Sequence, residues 1–140
     1  MTTSIDTNII VGLWNPADSS NLKAFDAIAA ALARGRAIIC GAVYGELLAY
    51  PTRTEKFIDT FLDEIDISVD WSSSETIWRN AGAAFQKYAA RRRRQKSDDP
   101  RRILTDFYIG AHALCNEYRL LTLDDKIYRK AFPKLEIVKT

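Results

Sequence analysis

The sequence predicts an α/β domain, a mainly parallel sheet of about five strands with amphipathic helices on both faces. Three observations carry this reading. Short apolar runs stand between breakers, as Ala37-Ile38-Ile39-Cys40 does between Gly35 and Gly41, and suit strands buried on both faces. Stretches with helical apolar spacing separate most of them. Finally, the strand-like runs at the start of the chain and at residues 119–122 lead at once, by way of Asp6 and Asp124, into helical stretches.

The first strand-like run ends on Asp6, and Thr7 or Asn8 is expected to cap the helix carrying Ile9, Ile10, Leu13 and Trp14, leaving Asp6 free to point outward. Ser19 or Ser20 can cap a second helix, with Leu22, Phe25, Ile28, Ala29 and Leu32 at helical spacing, until Gly35 closes it. The buried strand 37–40 is followed by a helix from Ala42 to about Tyr50 that contains Glu46 and is stopped by Pro51. A helix over Glu55–Asp63 turns Phe57, Ile58, Phe61 and Leu62 inward, and the alternation Ile65-Asp66-Ile67-Ser68-Val69 marks a half-exposed edge strand.

One of Ser72, Ser73 and Ser74 caps a long helix that runs through Ile77, Trp78, Ala81, Phe85 and Tyr88 into Arg91-Arg92-Arg93-Arg94. Ser97-Asp98-Asp99-Pro100 has turn chemistry and leads to Arg101 and Arg102. Thr105 is expected to cap the next helix, whose apolar side holds Tyr108, Ala111, Leu114 and Cys115 and which ends near Asn116. Arg119–Thr122 reads as a strand, Asp124-Asp125 opens a helix with Ile127, Ala131 and Phe132, and Leu135–Val138 forms a last strand.

At 140 residues the chain suits a single domain over 1–140, large enough to bury roughly two thirds of its unfolded surface. Its 47% apolar and 27% charged residues are those of a soluble protein, and no apolar run approaches the roughly 18 residues a membrane span needs. No signal-peptide pattern opens it, so a cytoplasmic location is expected. Cys40 and Cys115 stand apart without Cys/His clustering, which argues against a disulfide framework or a zinc site and suggests core thiols. The net charge is only +2, but Arg91, Arg92, Arg93, Arg94, Arg101 and Arg102 concentrate it locally.

In a parallel α/β fold, strand C-termini and helix N-termini share one edge of the sheet, and ligands bind there. Asp6, Glu46, Asp106 and Asp124 all fall on that edge or one helical turn from it. Gathered carboxylates repel one another in a partly dehydrated cleft, and divalent cations relieve the repulsion. Oxygen ligands without His or Cys suit Mg²⁺ or Mn²⁺, and such a site is suited to phosphodiester hydrolysis.

These residues resemble the PIN domain, and within it the toxin ribonucleases of bacterial VapBC toxin-antitoxin pairs. The likeness runs through Ile5-Asp6-Thr7-Asn8, Gly45-Glu46, Leu104-Thr105-Asp106-Phe107-Tyr108-Ile109-Gly110-Ala111-His112-Ala113-Leu114, and Leu121-Thr122-Leu123-Asp124 ahead of Tyr128 and Phe132. It implies a PIN-like three-layer fold. It also implies that Asp6, Glu46, Asp106 and Asp124 are the acidic quartet binding Mg²⁺ or Mn²⁺, with Asn8 and Thr122 as supporting polar residues. Endonucleolytic RNA cleavage, a homodimer and a cognate antitoxin whose tail occupies the active-site groove follow from the same likeness. Gly110 stands where such toxins often carry Ala; Gly110 and Ala113 lie within about 40° of Asp106 on the helix, which leaves room for substrate or for close helix packing.

Asp125 competes with Asp124 as the last ligand, and the Thr-x-Asp pattern favours Asp124. His112 lies about 120° around the helix from Asp106 and reads as a second-face or surface residue rather than a ligand. Trp14, Trp71 and Trp78 read as packing residues, with the alternative that one of them lines an antitoxin or dimer groove. The arginine cluster suits contact with RNA backbone, or else with an acidic antitoxin segment. Three rivals remain: a PIN nuclease of RNA maturation; a catalytically idle PIN scaffold, against which the intact acidic quartet argues; and a receiver-like signalling domain, which lacks here both the acidic pair after the first strand and a suitably placed lysine.

Overall fold

A computed structural model describes residues 1–95 and 100–140. Of the turn expected at 97–100, residues 97–99 lie outside the described residues. In chain order the elements are β1 (Thr2–Ile5), α1 (Thr7–Trp14), α2 (Asn21–Arg34), β2 (Arg36–Cys40), α3 (Gly41–Leu47) and α4 (Glu55–Glu64). There follow β3 (Ser68–Asp70), α5 (Glu75–Gln95), α6 (Leu104–Cys115), β4 (Arg119–Leu121), α7 (Asp125–Ala131) and β5 (Ile137–Val138).

The five strands form one sheet in the order β3-β2-β1-β4-β5, every neighbouring pair parallel. The predicted α/β class with a parallel sheet is therefore the observed one. β1 lies at the centre, pairing Ser4 with Ile38 on one side and with Leu120 on the other. Burial on both faces explains the unbroken apolar runs, since Ile5, Ile38, Ile39, Leu120 and Leu121 are all sequestered.

Several helix ends follow the capping chemistry of their residues. Thr54 Oγ1 accepts from Phe57 N at 3.1 Å and Ser74 Oγ from Ile77 N at 3.2 Å. Gly35 adopts a φ of +156°, and a Cβ there would lie 2.0 Å from the Met1 carbonyl oxygen, which instead accepts from Arg36 N.

Other expectations are corrected. The edge strand shortens to Ser68–Asp70, because Asp66 takes a left-handed φ of 60° and residues 65–66 form a turn. The last strand shortens to Ile137–Val138, and the helix expected over 42–50 ends at Leu47. On α2 the buried face is Ala24, Ile28 and Ala31, leaving Leu22 and Phe25 outside. Small residues there let α1 approach, with the Gly12 Cα side against Ala24. Ile58 and Leu62 are buried on α4, whereas Phe57 remains partly exposed, stacked on Phe61.

Trp14 packs edge-on against Phe57 and Phe61 and beneath the Arg53 guanidinium. Trp71 and Trp78, by contrast, are largely exposed, and each covers a neighbouring ring, Tyr44 and Tyr108 respectively. Cys40 is a core thiol but Cys115 is exposed at the end of α6. No described helix is long and apolar enough to cross a membrane.

Candidate active site

Strand order reverses direction around β1, because β2 and β4 flank it on opposite sides. The crevice beyond the C-termini of β1 and β4 is thus the topological switch point, where open α/β sheets bind ligands. Asp6 follows β1 there, and Thr122 and Asp124 follow β4.

Asp6 is not free to point outward. It is itself the residue that caps α1, its Oδ1 accepting from Thr7 N at 2.7 Å, and it is 6% exposed. Its Oδ2 accepts from Thr122 Oγ1 at 2.7 Å and from Tyr128 OH at 3.2 Å. Burial pushes its pKa up to about 6; the Thr122, Thr7 and Tyr128 hydrogen bonds oppose the rise, and the Asp106 charge adds to it. Tyr128 is raised strongly as well, by burial first and then by the nearby acids.

Thr122 ties the site together. Its Oγ1 also accepts from Asp124 N at 3.0 Å and lies 3.4 Å from Asn8 Nδ2, while Asn8 Oδ1 accepts from Leu123 N at 3.2 Å. Asn8 and Thr122 therefore shape the backbone that presents Asp124. Glu46, in the last turn of α3, accepts from Thr7 Oγ1 at 2.6 Å. Half-buried, it is raised in pKa by desolvation and by Asp106.

Asp106 occupies the first turn of α6, where Ile103, not Thr105, is the N-cap residue. Asp106 Oδ2 accepts from Ile103 N at 3.1 Å. Desolvation raises its pKa, the Ile103 amide and Arg102 lower it, and Asp124 raises it. Asp124 stands at the N-cap position of α7 without a side-chain cap bond; its Oδ2 instead meets Arg102 Nη1 at 2.5 Å. Asp125 faces away, paired with Arg129 at 2.8 Å within its own helix.

A family model describing the PIN domain matches residues 4–133. The chain belongs to the PIN domain family. Membership removes the receiver-like alternative. Solved PIN-fold structures cover almost the whole chain. VapBC-1 from nontypeable Haemophilus influenzae aligns with a TM-score of 0.67 at 22% identity, over 99% of this chain and 98% of that one. A toxin-antitoxin complex from Klebsiella pneumoniae gives 0.66 at 20% identity, over 98% and 96%. VapBC2 from Rickettsia felis, bound to a DNA fragment from its promoter, gives 0.61 at 19%, over 99% and 98%. No curated protein matches.

In this PIN chain the four predicted acids share one end of the sheet. Asp106 feels or is felt by each of the other three, and Thr122 bridges Asp6 to Asp124. Among the described residues, however, no three Asp, Glu, His or Cys side chains close around one point as a metal shell does. Thr7, the Ile103 amide and Arg102 hold Glu46, Asp106 and Asp124 instead. The donors nevertheless fit a hard cation: all are oxygens, and several are acids whose ionisation burial and mutual repulsion disfavour, a cost a divalent ion would remove.

Two contributors escape a reading by sequence position, Thr7 and Tyr128. By position Thr7 is only a candidate cap, whereas its hydroxyl holds Glu46. Tyr128 lies four residues after Asp124, the spacing that returns a side chain to the same helix face.

The arginines divide. Phe85, Tyr88, Arg92, Arg93, Arg101 and Arg102 line a cleft of about 480 Å³. Arg91, Arg92 and Arg102 join Lys126 and Lys130 around a second of about 330 Å³. Arg94 lines neither of these clefts. His112 is fully buried rather than on the surface, its Nε2 3.3 Å from Asp70 Oδ2. Desolvation lowers its pKa against the pull of Asp70. The space beside Gly110 is not left for substrate, since the Phe132 ring fills it.

Proposed function

We propose that this PIN domain is a Mg²⁺- or Mn²⁺-dependent endoribonuclease and the toxin of a type II toxin-antitoxin pair. The observation that carries the reading is the hydrogen-bonded junction of Asp6, Thr122 and Asp124 at the switch point, electrostatically joined to Glu46 and Asp106. Toxin-antitoxin complexes among the fold's solved relatives support the biological role. The single domain over 1–140, the homodimer and the cytoplasmic location belong to the same proposal.

When bound, a divalent cation supplies Lewis acidity for an attacking water and neutralises charge on the phosphodiester. Asp6, Glu46, Asp106 and Asp124 would hold it. Thr122 and Tyr128 orient Asp6, and Asn8 fixes the turn that presents Asp124. Glu46, with one oxygen engaged by the Thr7 hydroxyl, keeps its other oxygen for the cation. Arg91, Arg92, Arg93, Arg94, Arg101 and Arg102 would attract the RNA backbone without regard to sequence.

The purified protein should cut single-stranded RNA with Mn²⁺ or Mg²⁺, lose the activity in EDTA, and lose it on Asp6→Asn or Asp124→Asn but not on Asp125→Asn. RNA left intact by the manganese-loaded wild type would overturn the reading. Growth arrest on expression, relieved by a small reading frame encoded just upstream, separates the toxin from an RNA-maturation nuclease.

A further inference from the structure

Arg102 connects the basic clefts to the acids. Its backbone amide donates to Tyr88 OH at 2.8 Å, the same hydroxyl that accepts from Arg92 Nη1 at 3.4 Å. Its guanidinium lies on Asp124 Oδ2, and its charge is felt at Asp106. Both side chains of the Arg102–Asp124 pair are about one third exposed, at 34% and 36%. Among the described residues Arg102 lines both basic clefts.

A guanidinium and a divalent cation cannot both occupy the front of one carboxylate without repelling each other. An ion pair this exposed is weak and exchangeable. Phosphate is the other ligand a planar guanidinium fork matches. We propose that Arg102 is an exchangeable counter-ion for Asp124: it neutralises the acid while the site lacks metal and moves to substrate phosphate in the adjoining cleft when a cation binds. Phosphate binding and metal binding are then mutually reinforcing, because each removes the same competitor, and linkage makes the effect equal in both directions. Tyr88 is the positioning residue, tethering the backbone about which the Arg102 side chain swings.

This inference rests on the nuclease reading, and Mn²⁺ binding followed by electron paramagnetic resonance tests the two separately. Arg102→Gln should bind Mn²⁺ about two- to fivefold more tightly than wild type, the competition expected from an exposed pair. A 2′-O-methyl oligoribonucleotide, confirmed intact afterwards and corrected for its own Mn²⁺ binding, should tighten Mn²⁺ binding by a similar factor in wild type and not in Arg102→Gln. Arg102→Lys, which keeps the charge and loses the fork, should retain the competition and lose most of the oligonucleotide effect, and it serves should the glutamine variant fail to fold. Mn²⁺ bound equally well by wild type and Arg102→Gln, or more weakly by the variant, overturns the counter-ion role and leaves the nuclease intact. The same holds if the oligonucleotide effect persists in the variant. Failure of wild type and variants alike to bind Mn²⁺ overturns both.

Discussion

Asp6 is where cost and use are most closely joined. Folded and without metal, it keeps its proton up to about pH 6, whereas its ordinary value is 3.8. Between those values the native chain binds more protons than the unfolded one, so stability falls as pH rises through that window. A rise of that size is worth on the order of 3 kcal/mol. His112 acts in the opposite sense: its lowered pKa means that unfolding takes up a proton below about pH 6.5, and stability falls as pH drops. Thermal unfolding of wild type and Asp6→Asn in EDTA, from about pH 4 to 7, isolates the carboxyl. The variant should lack the decline, match or exceed wild type at pH 7, and gain nothing from Mn²⁺, which should raise the wild-type melting temperature. A variant much less stable than wild type at pH 7 in EDTA would show that the fold depends on an ionised Asp6. At the neighbouring position, Thr122→Ala removes the hydroxyl that donates to Asp6 and accepts from Asp124 N. Loss of such a supporting group should weaken Mn²⁺ binding or cleavage about 10- to 100-fold while leaving the fold intact.

At the level of elements, α6 decides most of what the sequence conceals. Its residues from Phe107 to Ala113 are all buried, enclosed by α3, α5, β4 and α7, so a helical-wheel angle measured from Asp106 cannot tell an outer face from a second inner one. The burial of His112 is hidden from sequence for that reason. Gly110 is legible as a point of close approach, but what approaches is not: a Cβ there would lie 2.3 Å from Phe132 Cε2. Gly110→Ala should destabilise the domain by about 1–3 kcal/mol through overpacking, measured by urea unfolding with an unchanged slope. Unaltered stability would mean that the ring moves aside without cost. Asp106 is legible because acids favour the first turn of a helix and the apolar spacing starts just beyond it. The bond from Ile103 N to Asp106 is not, since a non-polar N-cap gives no sign of itself in sequence.

Across the whole molecule, the sheet is the most readable feature. Strands buried on both faces must be written in largely uninterrupted apolar residues, and β2 and β4 are, while β1 adds small hydroxyl residues before Ile5. The short β3 and β5, lying at the edges, leave weaker traces, and their apolar patterns run past their true ends. The exposure of Trp71 and Trp78 is not legible, because hydrophobicity alone does not say which side of a ring is covered. The uneven charge is legible, and its use can be measured: Arg92→Glu with Arg93→Glu should weaken RNA binding and reduce its logarithmic salt slope by about 0.7 for each phosphate no longer neutralised. An unchanged slope would assign those arginines elsewhere. The central place of β1 has one more consequence. The hydrogen bond from Thr122 to Asp6 spans 116 residues, so all of the chain between them must be synthesised before the acidic pocket can exist. If the chain is the proposed nuclease, a product that stops before residue 122 should leave RNA intact, which a cleavage assay on the truncated protein checks.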